Sequence, residues 1–442
     1  MSGLNHIYRL VWDQVREAWV PVAEHCKSAG RTGVRRAALT GKLAILAIAV
    51  VPPVLQAYTG PAFQVYDPNV DAGEVVTGEV LMYGAVQNVN NGGIANATAV
   101  SSAGLQNVSA GGTTNGTIIY GGGTQNVYID GTTNDTIIHS GGTQNVYDSG
   151  YASGTIVNDY GIQNISSGGT AKGAQIGGEY IWNPNTSKYD TYAGTQNVYD
   201  SGYAVGTIVN SGGYQVVHSG GYTDNTLLTG EPPVSYQPID PDTGLPEVDE
   251  DGNPVIIYLG AGTQIVSSGG NTLGTMAISG GTQTVYSGGV ATLSVMYNGG
   301  RQIVRGGTAV STTISSGGRQ NVESGGVAIS STVSSGGTMG VQAGGTAQDT
   351  VIDGGYQYVG GSGAHAVNTT IMSGGLQNVR SSGTASDTTI MSTGRQNVYS
   401  SGIVTSTRIE GGGRRTSMVE ELQTQPGCTL AVLKTSVAVR PI

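Results

Sequence analysis

Glutamine returns every nineteen residues along much of this chain, at Gln87, Gln106, Gln125, Gln144 and Gln163, and again at Gln196 and Gln215. A later block carries the beat through Gln264, Gln283, Gln302, Gln320, Gln357, Gln377 and Gln396, with Met339 in the Gln slot between Gln320 and Gln357. Fifteen units result. One of them, residues 140–158, reads SGGTQNVYDSGYASGTIVN: three short runs of alternating or β-branched residues separated by glycine turns. A fixed period of this size is the mark of a solenoid, in which each unit contacts only its neighbours.

With 74 glycines in 442 residues, composition alone would suit a disordered chain. Position argues against that. Glycine pairs precede the Gln (Gly122-Gly123, Gly141-Gly142, Gly280-Gly281) and recur about six residues after it (Gly111-Gly112, Gly168-Gly169, Gly325-Gly326), where turns need positive φ. Val127, Val146, Val198, Val285, Val322 and Val398 follow Gln by two residues, so Gln and Val share one face of a short strand. The expected fold is all-β, a parallel β-solenoid (β-helix) of about 15 coils and roughly 70 Å at the ~4.8 Å strand spacing. Stacking gives each Val a neighbour above and below, and lets each Gln amide donate to one coil and accept from another. Collagen is excluded, since glycine does not recur every third residue. A nonapeptide calcium roll is disfavoured, since Asp holds no fixed place after Gly-Gly-x-Gly.

Residues 1–57 read as an export address. The apolar run LAILAIAVV at 43–51 is too short to span a bilayer and follows Lys27, Arg31, Arg35, Arg36 and Lys42. A helical signal segment is expected here, cleaved near Ala57 or at Gly60 to Ala62. Export of this kind implies the Sec machinery as a partner. Residues 58–79 then form a linker or N-terminal cap, 80–413 the repeats, and 414–442 a non-repeat tail.

The stretch from Asn5 to Glu24, with Tyr8, Arg9, Trp12, Arg16, Ala18, Trp19 and Val20, closely resembles the extended signal peptide region of type V secretion. The Ser-Gly-Gly-x-Gln-x-Val repeats resemble those of AIDA-type autotransporter adhesins. The resemblance implies a surface passenger acting by contact: cell–cell aggregation, biofilm formation or host attachment, through self-association or ligands on other cells. It also implies glycosylation of repeat serines, for which the matching positions are Ser140, Ser211, Ser279, Ser316, Ser335 and Ser373. Such a family member is expected to end in an outer-membrane β-barrel, which the 29 residues from Arg414 cannot supply. The abrupt loss of pattern after Gly413 suggests a truncated, interrupted or frame-shifted product, which alone would stay in the periplasm. The exoprotein of a two-partner system is the alternative.

Outside residues 1–57 the net charge is −14, which disfavours nucleic acid and anionic membranes as partners. Two insertions break the period, at 177–193 and 231–258. The second is proline-rich, which disfavours regular structure, and its acidic residues read as a solvated loop rather than a calcium site. Tyr180, Trp182, Tyr189 and Tyr236 are the aromatics of these insertions expected to make contacts.

No enzyme is expected, nor any cofactor or metal. His139, His218 and His365 fall in different coils. The Asp148-Ser149-Gly150 and Asp200-Ser201-Gly202 triplets read as repeat turns, not nucleophile segments. Residues 58–413 hold only eight Lys/Arg, spread over many coils, so the cationic groove of a polysaccharide lyase, and with it a passenger enzyme, is disfavoured.

Overall fold

A computed structural model describes residues 67–183, 188–230 and 257–417, with the paired strands Tyr8–Asp13, Ala18–Ala23 and Val234–Tyr236; side chains are described within 67–178, 192–230 and 260–417. Two units result, Met1–Ala62 and Phe63–Ile442. In the first, Tyr8–Asp13 pairs antiparallel with Ala18–Ala23, placing Trp12 opposite Trp19. Aromatic and β-branched residues in both segments suit this pairing. Residues 8–13 and 18–23 are thus extended strands, whereas the apolar run 43–51 on which the helical signal segment was expected, and the cleavage positions, lie outside the described residues.

The second unit is a parallel β-solenoid. Each coil gives one strand to each of three sheets. In the unit quoted above these are Thr143–Val146, Tyr151–Ser153 and Ile156–Val157. We call them the Gln sheet, the middle sheet and the third sheet. The middle and third sheets each have 16 strands, and the Gln sheet runs through 17, from Asn69–Val70 to Arg414–Ser417. About 16 turns thus stand where Gln marked fifteen. The end strands escape the Gln beat because Asn69 pairs with Asn88, which leaves Pro68 in the Gln slot, and Arg415 pairs with Gln396.

Period-two alternation decides what faces inward. Gln144, Val146, Thr155 and Val157 are at most 1% exposed, while Thr143 and Asn145 between them are half-buried on the outer side. Registers are identity-like: Gln125 pairs with Gln144 and Gln144 with Gln163. The Gln amides form the expected ladder. Gln144 Nε2 donates to Gln125 Oε1 at 2.7 Å and Gln163 Nε2 to Gln144 Oε1 at 2.8 Å. A second donor completes each carbonyl, because Thr155 Oγ1 reaches Gln144 Oε1 at 3.1 Å and Thr136 Oγ1 reaches Gln125 Oε1 at 3.2 Å. That threonine follows the corner between the middle and third sheets, where φ is positive even at Asp135, Leu293, Ser330 and Asn368. A buried amide column is tolerable because its polar atoms find partners within the stack.

The glycine pairs serve two different needs. Gly141 has φ +74, the left-handed turn conformation, whereas a Cβ on Gly142 would sit 2.7 Å from the Ile119 carbonyl oxygen of the previous coil. The first glycine is there for its dihedral and the second for close approach. In the Asp148-Ser149-Gly150 turn, Asp148 and Ser149 take positive φ and Gly150 packs against the Val127 carbonyl, which accounts for the triplet as a turn.

The insertions leave the stack undisturbed. Gln196 donates to Gln163 across 33 residues at 2.7 Å, and Gln264 to Gln215 across 49 at 2.6 Å. Both insertions emerge at the corner between the third and Gln sheets. Gly194 N donates to Gly177 O and Gly262 N to Thr229 O where the coils resume. The first is an antiparallel hairpin, Gly178–Asn183 with Lys188–Ala193. Even the proline-rich insertion is paired at its base, Val234–Tyr236 with Ile257–Leu259, because these two segments contain no proline and are rich in β-formers.

Candidate functional site

A stack of this kind offers outward columns, one side chain per coil, spaced by ~4.8 Å. In the Gln sheet the residue after Gln forms an asparagine column: Asn107 Nδ2 donates to Asn88 Oδ1, Asn126 to Asn107, Asn145 to Asn126, Asn164 to Asn145 and Asn197 to Asn164, all at 2.9–3.1 Å. A shorter column, Asn96, Asn115 and Asn134, runs up the middle sheet. These columns are self-satisfied and rigid, so they present a regular polar surface.

Aromatic rings line the strand ends. Tyr128 packs edge-on to Tyr147 at 4.7 Å, Tyr199 stacks on His218 at 4.4 Å, and Tyr120 stacks on His139 at 5.2 Å. Burial, with Tyr128 beside it, pushes the Tyr147 phenol above its usual range. Burial lowers the His218 imidazole from its usual value, which favours the neutral ring. The three histidines are thus elements of surface stacks or, for His365, exposed on the middle sheet; the fold brings none of them to another. Among the described residues no group of three His, Cys, Asp or Glu is placed to hold a metal; the acidic residues 240–251 lie outside the described residues.

Of the serines in the repeat turns, Ser140, Ser316, Ser335 and Ser373 are exposed at the corner before the Gln strand, while Ser211 and Ser279 at the same corner are half-buried. Tyr180, Trp182 and Tyr189 lie on the strands of the first hairpin, and Tyr236 on the base of the second. Topology brings these two hairpins to one corner of the stack, two coils apart.

The arginines are where sequence reading and structure part. Arg301, Arg319 and Arg395 each precede the Gln of their coil, and Arg305 and Arg380 follow it by three, so five cations dispersed in sequence share the outer face of one sheet. Repeat position was the signal, and counting residues along the chain misses it. Arg301 pairs in register with Arg319; desolvation and this like-charged neighbour lower the Arg301 guanidinium from its usual value. Arg305 bonds Glu323 at 2.7 Å, which raises it. Arg380 lies 4.5 Å over the Tyr358 ring.

Comparison with known proteins identifies the export address. Residues 5–52 match the family described as the extended signal peptide of type V secretion system. No curated protein matches the chain significantly. Among solved structures it matches the crystal structure of a TibC-catalysed hyper-glycosylated TibA55-350 fragment, with 30% identity over 78% of this chain and 99% of that one, at a TM-score of 0.47. An address that matches the extended signal peptide of type V secretion thus precedes, along the sequence, repeats that fold as a parallel β-solenoid.

Proposed function

We propose that this passenger is a surface adhesin, exported across the inner membrane by its signal and held at the cell surface by an outer-membrane barrel. It promotes cell–cell aggregation, biofilm formation or attachment to host cells. The observation that carries this reading is the unbroken register of about 16 turns, which repeats every outward column along the stack. Contacts that are individually weak multiply when they are held at fixed spacing on a stiff support. The two hairpins at one corner, with Tyr180, Trp182, Tyr189 and Tyr236, add a local site of a different kind.

The test displays residues 58–417 on a functional autotransporter barrel. Distributed adhesion predicts that cells settle, and still settle after the 177–193 hairpin is removed and Gly177 is joined to Gly194. Loss of settling with the solenoid still protease-resistant would move adhesion to the hairpin; failure of the intact passenger to promote any adhesion would refute the reading.

Glycosylation belongs to the same proposal. The TibA fragment is hyper-glycosylated, and here Ser140, Ser316, Ser335 and Ser373 present exposed hydroxyls at one corner. Co-expression with TibC, followed by peptide mass spectrometry, is expected to find sugar on Ser335 and Ser373 and none on the buried Ser331.

A further inference from the structure

The arginine face of the Gln sheet has a partner chemistry of its own. From Arg301 to Arg414 it spans seven strands, roughly 29 Å at the parallel spacing. Arg301 and Arg319 form one basic group; Arg380, Arg395 and Arg414 form the other. Between them the outward positions are uncharged, and Tyr356 and Tyr358 stand there side by side on one strand. Glu323, bonded to Arg305, is the one carboxylate among the described outward residues of this stretch.

Two details show that the tyrosines are set rather than scattered. A Cβ on Gly360 would meet the Tyr358 hydroxyl at 2.2 Å, so the ring lies across a position where Tyr286 and Tyr399 stand in other coils. Across that glycine the Arg380 guanidinium covers the ring, and Asn378 Nδ2 donates to the Tyr356 hydroxyl at 3.1 Å. The molecule as a whole carries a charge of −10, which makes a stretch of six outward arginines with a single acid a marked reversal of sign.

We propose that this face binds an acidic polysaccharide laid along the stack axis, its carboxylate or sulfate groups on the two arginine groups and its pyranose faces against the tyrosines. Arginine suits this because its planar fork matches a carboxylate or sulfate with two parallel bonds, and it stays charged at any physiological pH. Sugar rings suit the tyrosines because they present apolar C–H faces and polar rims. A nucleic acid is the less fitting polyanion: its charge density is repelled by the acidic remainder of the molecule, and few cations are here to offset it.

The proposal deepens the adhesin reading by naming a ligand class. It is tested on the purified full chain, so it can fail while displayed cells still aggregate, or hold while they do not. The chain is passed over immobilised polygalacturonate, dextran sulfate, neutral dextran and oligothymidylate. Retention is expected on polygalacturonate or dextran sulfate, falling with salt, and the stronger of the two identifies the acid group read. Arg380→Gln with Arg395→Gln is expected to weaken that binding about tenfold or more. Arg408→Gln, on the third sheet beside Glu410, is expected to leave it unchanged. Should the double variant fold poorly by circular dichroism, Arg301→Lys with Arg319→Lys keeps the charge, loses the forks and is expected to weaken binding about threefold. Equal retention on neutral dextran, no retention on either acidic polymer, equal loss in Arg408→Gln, no loss in the folded arginine variants, or tighter binding to oligothymidylate would each overturn it.

Discussion

Asn145 and Val146 are neighbours in one strand and answer to different constraints. Val146 is fully buried between Val127 and Ile165, so Val146→Asp places an unpaired carboxylate in the stack. A loss of about 4 kcal/mol or more is expected, seen as protease sensitivity and weakened β-type circular dichroism. Asn145 faces outward, as the alternation requires, but it donates to Asn126 and accepts from Asn164. Asn145→Asp removes the donor and sets a carboxylate against the Asn126 oxygen, so a loss of about 1 kcal/mol is expected with the fold intact. Comparable protease resistance in the two variants would show that the faces are wrongly assigned. Met339 poses the reverse case. It interrupts the ladder, leaving Gln357 Nε2 to donate to a sulfur at 3.3 Å, a weak acceptor. Met339→Gln restores an amide of similar volume between Gln320 and Gln357. It is expected to raise stability by about 1 kcal/mol, read as a higher urea midpoint with unchanged m-value.

The coil is the unit of construction, and its three strands are too short to persist alone. What holds Thr143–Val146 in place is the strand on either side of it, plus the Gln ladder that threads all of them. Removing residues 140–158 joins His139 to Asp159 and leaves Gln163 facing Gln125 in the register that Gln144 vacates. A folded solenoid one coil shorter is expected, with Tm lowered by a few degrees at most, because each coil contacts only its neighbours. Circular dichroism melts and limited proteolysis check this; a molten product would mean that the 140–158 coil nucleates the stack. The same logic explains the insertions. A hairpin at a corner costs the stack nothing while the bonds at its base, Gly194 to Gly177 and Gly262 to Thr229, let the coil resume.

At the scale of the whole molecule the open question for any parallel stack is how it ends, since an exposed strand edge and an unfinished amide ladder both invite another chain. Charged residues stand at both ends of this ladder: the Gln87 amide donates to Glu79, and Arg415 occupies the slot after Gln396. Where a transport barrel is joined therefore matters. A fusion after Gly413 deletes the strand Arg414–Ser417 and bares the edge at Gln396, whereas a fusion after Ser417 keeps it. Both are expected to reach the cell surface, and the longer one is expected to resist added protease better; equal resistance would show that the last strand contributes nothing to the end of the stack.

The sequence by itself determined the solenoid, the Gln ladder and the inward Val, because a period of nineteen and an alternation of two are local arithmetic that stacking can satisfy in one way. It also marked the insertions and carried the export address. It undercounted the turns, since Pro68 and Arg415 take the Gln slot at the ends, and it passed over the threonines that complete each Gln carbonyl, such as Thr155 for Gln144, because those partners are eleven residues apart. It also scattered the arginines. Only coil-on-coil register decided that Arg301, Arg319 and Arg395 share a column and that the two hairpins leave by one corner. Neighbours in this fold are a repeat apart along the chain and one strand apart in space, so a surface assembled from one residue per coil comes into view only once the coils are stacked.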